Sequence, residues 1–164
     1  QEGYLFTASL ADNLRYGAPD ADQQAVEQAA LEARLEGDIR GFPDGYATLV
    51  GERGITLSGG QRQRTALGRA LLMRAPLLVL DDALASVDNT TAAGILTSVR
   101  QQRARTVLMI SHQLSAAAAC DRILVLDGGR LVQQGHHNEL VQRSGTYRRL
   151  WEREQAEQQL SRAA

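Results

Sequence analysis

The sequence contains 164 residues, of which 43% are apolar and 23% are charged, and its net charge is −1. This composition is that of a folded globular domain and excludes an intrinsically disordered chain. The near-neutral charge gives no support for a nucleic-acid partner or for attraction to an anionic membrane. The single cysteine, Cys120, excludes an internal disulfide framework.

The first part of the chain is predicted to be helical. Apolar residues at helical spacing follow Asp20, which we expect to cap a helix that ends near Gly37. Several glycines and a Pro-Asp-Gly turn predict a loop over residues 41–54. Further helices are predicted over 9–16 and, with Ser58 as the cap, over 59–73.

From Pro76 onward the pattern changes to alternating strands and helices. The continuous apolar run over 77–80 is typical of a strand that is buried on both faces. The other predicted strands are 106–110, 122–126 and 130–134, and the predicted helices are 90–102, 115–120, 137–142 and 146–160. This order predicts an α/β fold with a parallel sheet and an attached helical region, divided into domains 1–72 and 73–164.

Two motifs that lie twenty residues apart carry the chemistry. The first is the run Leu57-Ser58-Gly59-Gly60-Gln61, where a Ser-Gly-Gly turn opens a helix. Such a turn presents backbone N–H groups and the positive end of the helix dipole to an anion. In the second motif, the apolar strand over 77–80 ends in the adjacent carboxylates Asp81 and Asp82. A strand that ends in aspartate is how nucleotide-hydrolysing α/β proteins hold Mg²⁺.

Together the two motifs resemble the signature motif and the Walker B strand of ATP-binding-cassette (ABC) ATPases. The resemblance implies a P-loop NTPase (RecA-like) sheet with the ABC helical subdomain, and ATP and Mg²⁺ as cofactors. The sequence contains no G-x-x-x-x-G-K-[ST] phosphate loop and no lysine. We therefore expect the chain to be the C-terminal part of a longer protein, without its Walker A half, and to be inactive in ATP hydrolysis when alone.

The resemblance also implies roles for single residues. Asp81 would hold Mg²⁺ through water, and Asp82 stands where the family usually has the glutamate that polarises the attacking water. His112 matches the switch histidine that contacts the γ-phosphate. Gln1 matches the Q-loop glutamine, which senses Mg²⁺ and the γ-phosphate.

The remaining nucleotide contacts implied by the resemblance come from the signature motif and from the D-loop. Ser58, Gly59, Gly60 and Gln61 would bind the nucleotide held by a partner subunit, and Ser86 and Asp88 belong to a D-loop-like segment that crosses the dimer. Arg62 and Arg64 are interpreted as residues of the solvated face of the signature helix rather than as phosphate ligands.

The loop before the signature motif resembles the X-loop of ABC exporters. Glu52 in that loop would contact the coupling helices of a membrane domain, and the C-terminal residues resemble the ends of exporter nucleotide-binding domains. The resemblance therefore implies the ATP-hydrolysing subunit of an ABC exporter. That subunit would lie at the cytoplasmic face of a bacterial inner membrane, with a transmembrane domain upstream in the same chain.

Asp82 has one methylene fewer than the usual glutamate, so its carboxylate is recessed and its own site should be slow. We therefore expect a heterodimer, in which this chain pairs with a second nucleotide-binding subunit whose base is glutamate. Two alternatives stay open at this stage. One is a soluble ABC ATPase of DNA repair or translation, and the other is a degenerate ATP-binding regulatory subunit.

Overall fold

The computed structural model describes residues 3–51, 56–101 and 105–163. The chain divides into two compact units, Gln1–Ile110 and Ser111–Ala164, and each is described by itself. Within the described ranges, every helix is too short or too polar to cross a membrane.

In its described residues, the first unit combines five α-helices with two small sheets. Ser9 caps the first helix by accepting a hydrogen bond from the Asp12 amide at 3.0 Å, which satisfies one of the unpaired N–H groups of the first turn. The helices are α1 (Leu10–Arg15), α2 (Gln23–Glu32), α3 (Glu36–Gly41), α4 (Gly59–Leu72) and α5 (Asn89–Gln101), with a 3₁₀ turn at Gly45–Ala47. Strands β1 (Ala8–Ser9) and β2 (Leu49–Val50) pair antiparallel.

The predicted helix from Asp20 to Gly37 is wrong in both of its boundaries. Asp22, not Asp20, caps α2 by accepting the Ala25 amide at 2.8 Å. The helix ends at Glu32 because Arg34 adopts a left-handed backbone with φ of 57°. The Leu35 amide then donates to the Ala30 carbonyl at 2.8 Å, which closes a Schellman motif with arginine in the position that usually holds glycine.

The segment predicted as a loop also contains regular structure. Helix α3 ends inside that segment, at Gly41, and the 3₁₀ turn and β2 follow. Strand β2 is only two residues long and pairs with β1 from forty residues earlier, so neither strand has a periodic pattern of its own. The pairing ties the segment before α4 to the start of the chain.

The core of the first unit lies between α1, α2 and α4. Gly68 on α4 allows α1 to approach closely, since a Cβ there would lie 2.7 Å from the Leu14 side chain of α1. Each fully buried leucine contributes about 1.5–3 kcal/mol by leaving water. The buried residues of this core are Leu5, Leu10, Leu14, Val26, Ala29, Ala30, Leu35, Ile39, Val50, Leu57 and Leu72.

Two parallel strands carry the apolar run of the second motif. Strands β3 (Leu77–Asp81) and β4 (Thr106–Ile110) pair in register from Leu77 with Thr106 to Asp81 with Ile110. The prediction of a strand buried on both faces is wrong. Leu78 and Leu80 are buried, but Leu77 and Val79 on the other face are 54% and 53% exposed. Period-two alternation puts the two sets on opposite faces, and only one face packs against the unit.

The second unit, as far as residue 163, is a hairpin with three helices. Strands β5 (Ile123–Asp127) and β6 (Arg130–Gly135) pair antiparallel, and both residues of the Gly128-Gly129 turn have positive φ, as a tight hairpin requires. The helices are α6 (Leu114–Ala118), α7 (His137–Gln142) and α8 (Thr146–Ala163). The predicted hairpin and helices of this region are thus confirmed to within a few residues at their ends.

The core of the second unit is small and has one polar contact at its centre. Ile123, Val125, Leu140 and Tyr147 are buried together. The Tyr147 hydroxyl lies 2.9 Å from Nδ1 of His137. Burial, reinforced by the charge of Glu154, raises the pKa of Tyr147 to about 12.

Candidate functional site

The signature turn (residues 58–61) opens α4 with a capping box. The Ser58 hydroxyl accepts the Gln61 amide at 3.2 Å, and the Gln61 side-chain oxygen accepts the Ser58 amide at 2.8 Å. The cap predicted at Ser58 is therefore confirmed. The first amides of an α-helix have no carbonyl in a preceding turn, so those of Gly59 and Gly60 are the donors that this turn offers to an anion.

The two glycines of the signature turn lie against the D-loop-like segment. A Cβ on Gly60 would lie 2.9 Å from the Ser86 carbonyl oxygen, so this position has no room for a side chain without a backbone shift. Gln63, one turn along α4, accepts the Ser86 amide through its Oε1 at 2.8 Å. The fold thus brings two of the predicted motifs together.

Asp38 on α3 completes the support of the signature turn. Its Oδ1 accepts from Nε2 of Gln61 at 2.9 Å, and its Oδ2 accepts from the Arg64 guanidinium at 2.6 Å. Asp38 could not be predicted from the sequence, because 23 and 26 residues separate it from its partners and no local motif marks it. The Arg64 side chain is only 12% exposed, so the interpretation of Arg64 as a residue of a solvated face is wrong.

The second candidate centre is at the carboxyl end of β3. Asp81 is the last residue of the strand and is exposed. Asp82 follows with φ of 50°, and its amide donates to the Ile110 carbonyl at 2.9 Å. A left-handed backbone is rare for residues other than glycine, although aspartate and asparagine tolerate it best, and it persists only where neighbouring bonds hold it.

The donor set at this end of the sheet fits Mg²⁺. The Asp81 carboxylate can supply oxygen ligands, and Mg²⁺ is usually held by one or two carboxylates together with water and phosphate oxygens. Among the residues that the structure describes, no group of three or more His, Cys, Asp or Glu side chains could form an all-protein metal cage. Asp81 would therefore hold the ion together with water and a phosphate-bearing ligand, and Asp82 beside it would be left to act on water.

Asp88 has a helix-capping bond in addition to its predicted D-loop role. Its Oδ1 accepts the Thr91 amide at 2.9 Å in the first turn of α5. Hydrogen bonds from Thr91 lower the pKa of this exposed carboxylate. This bond fixes the loop between Asp82 and α5 at its far end.

His112 lies in the second unit, exposed, just before α6. The amides of Leu114 and Ser115 at the start of α6 donate to the carboxylate of Glu154 on α8, at 2.8 and 3.3 Å. Glu154 thus caps the helix that follows His112. Glu154 could not be predicted from the sequence, because its partners lie about 40 residues earlier in the chain. Gln1 and Glu52, the predicted Q-loop and coupling residues, lie outside the described residues.

Comparison with known proteins assigns the family. The ABC transporter family matches residues 3–85, just over half of the chain. The chain is 44% identical over 164 residues to the multidrug resistance-like ATP-binding protein MdlA of Escherichia coli (strain K12), covering 99% of this chain and 28% of that protein. It is 42% identical over 156 residues to the probable multidrug resistance ABC transporter ATP-binding/permease protein YheI of Bacillus subtilis (strain 168), covering 94% of this chain and 27% of that protein.

A solved structure agrees with the sequence comparisons. The structure of a bacterial Atm1-family ABC exporter with ATP bound superposes with a TM-score of 0.89 and 41% identity, over 94% of this chain and 27% of that one. The chain therefore belongs to the ABC transporter family. Within the family its sequence is that of the ATP-binding domain, similar to exporter-type proteins, as the motifs predicted. It spans little more than a quarter of the length of these relatives.

Proposed function

We propose that this chain is part of the ATP-binding domain of an ABC exporter. The full protein would couple ATP binding and hydrolysis to export across a bacterial inner membrane, with this domain at the cytoplasmic face. The observation that carries the proposal is the capped signature turn packed on Ser86, in a chain similar over nearly its whole length to MdlA. Similarity to exporters argues against a soluble ATPase of DNA repair or translation.

In this proposal the two candidate centres act on different nucleotides. The amides of Gly59 and Gly60 donate to phosphate held by a partner subunit, and Ser58 and Gln61 keep the turn in shape. Asp81 and Gln1 hold the cation of the chain's own site, Asp82 accepts a proton from the attacking water, and His112 orients that water. When bound, MgATP supplies the phosphoryl group that is transferred to water. Ser86 and Asp88 line the dimer interface, and Glu52 contacts the membrane domain.

We further propose that the dimer is a heterodimer in which Asp82 belongs to the weaker site. An aspartate carboxylate lies about one ångström short of a glutamate carboxylate, and a misplacement of that size lowers a rate by ~10²-fold. The left-handed backbone at Asp82, anchored to Ile110, limits how far the residue can shift to compensate. A partner with glutamate would keep one site active. The signature turn of this chain would complete that active site.

The test uses the full-length protein that carries this chain, purified with its partner in membrane discs. Asp82→Asn should reduce ATPase activity little, and removal of the partner's glutamate should abolish it. Asp82→Glu should raise the activity of the weak site. Loss of all activity in Asp82→Asn would refute the assignment of the weak site. Absence of ATPase in the wild-type complex would refute the proposed function.

A second candidate function, that of a regulatory subunit, also has an observation in its favour. A regulatory subunit that binds ATP without hydrolysing it would also carry a shortened base at position 82 and an intact signature turn. The fate of labelled ATP trapped at the Asp82 site during steady-state turnover separates the two. In a regulatory subunit, ATP trapped at the Asp82 site stays unhydrolysed over many turnovers of the partner site. The ATP also stays unhydrolysed there in the Asp82→Glu variant.

A further inference from the structure

The carboxylate of Asp38 joins two residues of the signature helix. One oxygen accepts from the side-chain Nε2 of Gln61 and the other from the Arg64 guanidinium, at 2.9 and 2.6 Å. Both bonds involve an ionised group, and such bonds are shorter and about twice as strong as neutral ones. Asp38 therefore holds the N-terminal part of α4 at two points, three residues apart on the helix.

The side chain of Gln61 is bonded within the protein at both ends. Its oxygen accepts the Ser58 amide and its nitrogen donates to Asp38. The side chain is thereby turned toward α3, and a nucleotide would meet the backbone amides of the turn. We infer that Asp38 is a positioning residue for nucleotide binding, which acts through Gln61 and Arg64 to fix the signature turn. The inference rests on the proposed function.

Burial makes this contact stronger than an ordinary surface ion pair. The side chains of Arg64 and Asp38 are 12% and 24% exposed, so solvent screens the pair only in part. Removing Asp38 would leave the Arg64 charge shielded from water without its partner, which is costly. On the same helix α3, Glu36 and Arg40 form a pair whose side chains are 41% and 77% exposed. That pair offers a matched control.

The position of Asp38 is itself fixed by the core. Helix α3 begins after the left-handed Arg34, and its neighbours Leu35 and Ile39 are buried in the core of the first unit. Ile39 follows Asp38 directly, so α3 cannot rotate about its axis without exposing Ile39. A contact held in this way transmits the geometry of the core to the signature turn.

The experiment compares Asp38→Ala, Asp38→Asn and the control Glu36→Ala in the full-length transporter. Asp38→Ala should raise by about ten-fold the ATP concentration at which half of the dimers are closed. Loss of a hydrogen bond to a charged group changes an equilibrium constant by about that factor. Asp38→Asn keeps an acceptor for Gln61 and should lose less, and Glu36→Ala should match wild type. Asp38→Ala combined with Gln61→Ala should be no worse than the more severe single variant, because the two share one contact.

Hydrogen exchange without ATP gives a readout that does not depend on activity. Asp38→Ala should speed exchange of the Gln61 and Arg62 amides about ten-fold and leave the first turn of α1 unchanged. If exchange and dimer closure stay at wild-type values while the unfolding temperature falls, Asp38 is only a stabilising residue and the inference is wrong. A wild-type protein without ATPase would refute the proposed function, and exchange at these two amides would then decide the inference alone.

Discussion

Two helix N-termini at the candidate functional sites, those of α4 and α6, are stabilised in different ways. Helix α4 in the first unit is capped by its own residues, Ser58 and Gln61, which lie three positions apart. Helix α6 in the second unit has no side-chain cap at Gln113 and relies on Glu154, 40 residues later. A local cap forms with its helix, whereas a distant cap forms only when the tertiary fold is complete. The signature turn should therefore be the more robust of the two.

The largest effect should come from filling the space at Gly60. A methyl group there would lie 2.9 Å from the Ser86 carbonyl oxygen. This oxygen belongs to the backbone, so it cannot move aside by a side-chain rotation. We expect Gly60→Ala to lower the ATPase activity of the full-length transporter by ~10²-fold, since displacements of about 1 Å have such effects. Gly37→Ala is the control, because nothing lies within 4 Å of its Cβ. Equal activity in the two variants would contradict the close packing of the signature turn on Ser86.

Removal of the distant cap should have the next largest effect. Glu154→Ala takes both acceptors from the amides of Leu114 and Ser115, and we expect the second unit to lose about 2 kcal/mol. Hydrogen exchange at these two amides should quicken accordingly. Glu152→Ala, on the same helix, removes only a pair with Arg148 in which Glu152 is 59% exposed, and it should cost less than about 0.5 kcal/mol. If both variants behave alike, Glu154 does not support α6.

A matched pair of local caps separates stability from function. Ser58→Ala and Ser9→Ala each remove a hydroxyl that accepts a first-turn amide, and each should cost about 1 kcal/mol. Only Ser58→Ala should also reduce ATPase activity, by a few-fold, because only its helix presents the signature turn. Parallel losses of activity in the two variants would show that the effect is one of stability alone. Chemical denaturation and ATPase assays on the same preparations provide the comparison.

The smallest effect at neutral pH should come from Tyr147. Its pKa is raised to about 12, so the folded chain keeps a proton that the unfolded chain loses near pH 10. Stability that is complete below pH 10 should therefore fall as the pH rises toward about 12, and Tyr147→Phe should remove this dependence. Thermal unfolding followed through the fluorescence of Trp151, the chain's only tryptophan, measures it. If the stability of Tyr147→Phe falls with rising pH as steeply as that of the wild type, the pH dependence belongs to another group.

Local signals predicted the first unit's signature helix and the second unit's hairpin. Ser58 is a good N-cap residue followed by a helical pattern, and the Asp-Gly-Gly turn suits only a tight hairpin, so each element is encoded by adjacent residues. The α2–α3 boundary was missed because Arg34 takes the left-handed position without the glycine that usually marks it.

The sequence predicted the motifs of the candidate site, but not the distant residues that hold these motifs in place. Asp38 and Glu154 are ordinary surface-type residues in the sequence, and only contacts across 23 to 40 residues reveal what they hold. Two-residue strands such as β1 and β2 carry too few residues for a pattern. The nucleotide and metal roles of Asp81, Asp82 and His112 stay predictions. The Q-loop role of Gln1 and the coupling role of Glu52 also stay predictions, because both residues lie outside the described residues.

The left-handed backbone at Asp82 also shapes how this chain can evolve. Aspartate codons reach those of asparagine and glycine by a single transition, and both residues tolerate a positive φ at least as well as aspartate does. Either change would delete the proposed base without straining the loop. Catalytic loss at this position is therefore nearly neutral for folding. In a transporter whose partner subunit supplies the active site, the proposed base at position 82 can therefore be lost without selection on stability opposing the change.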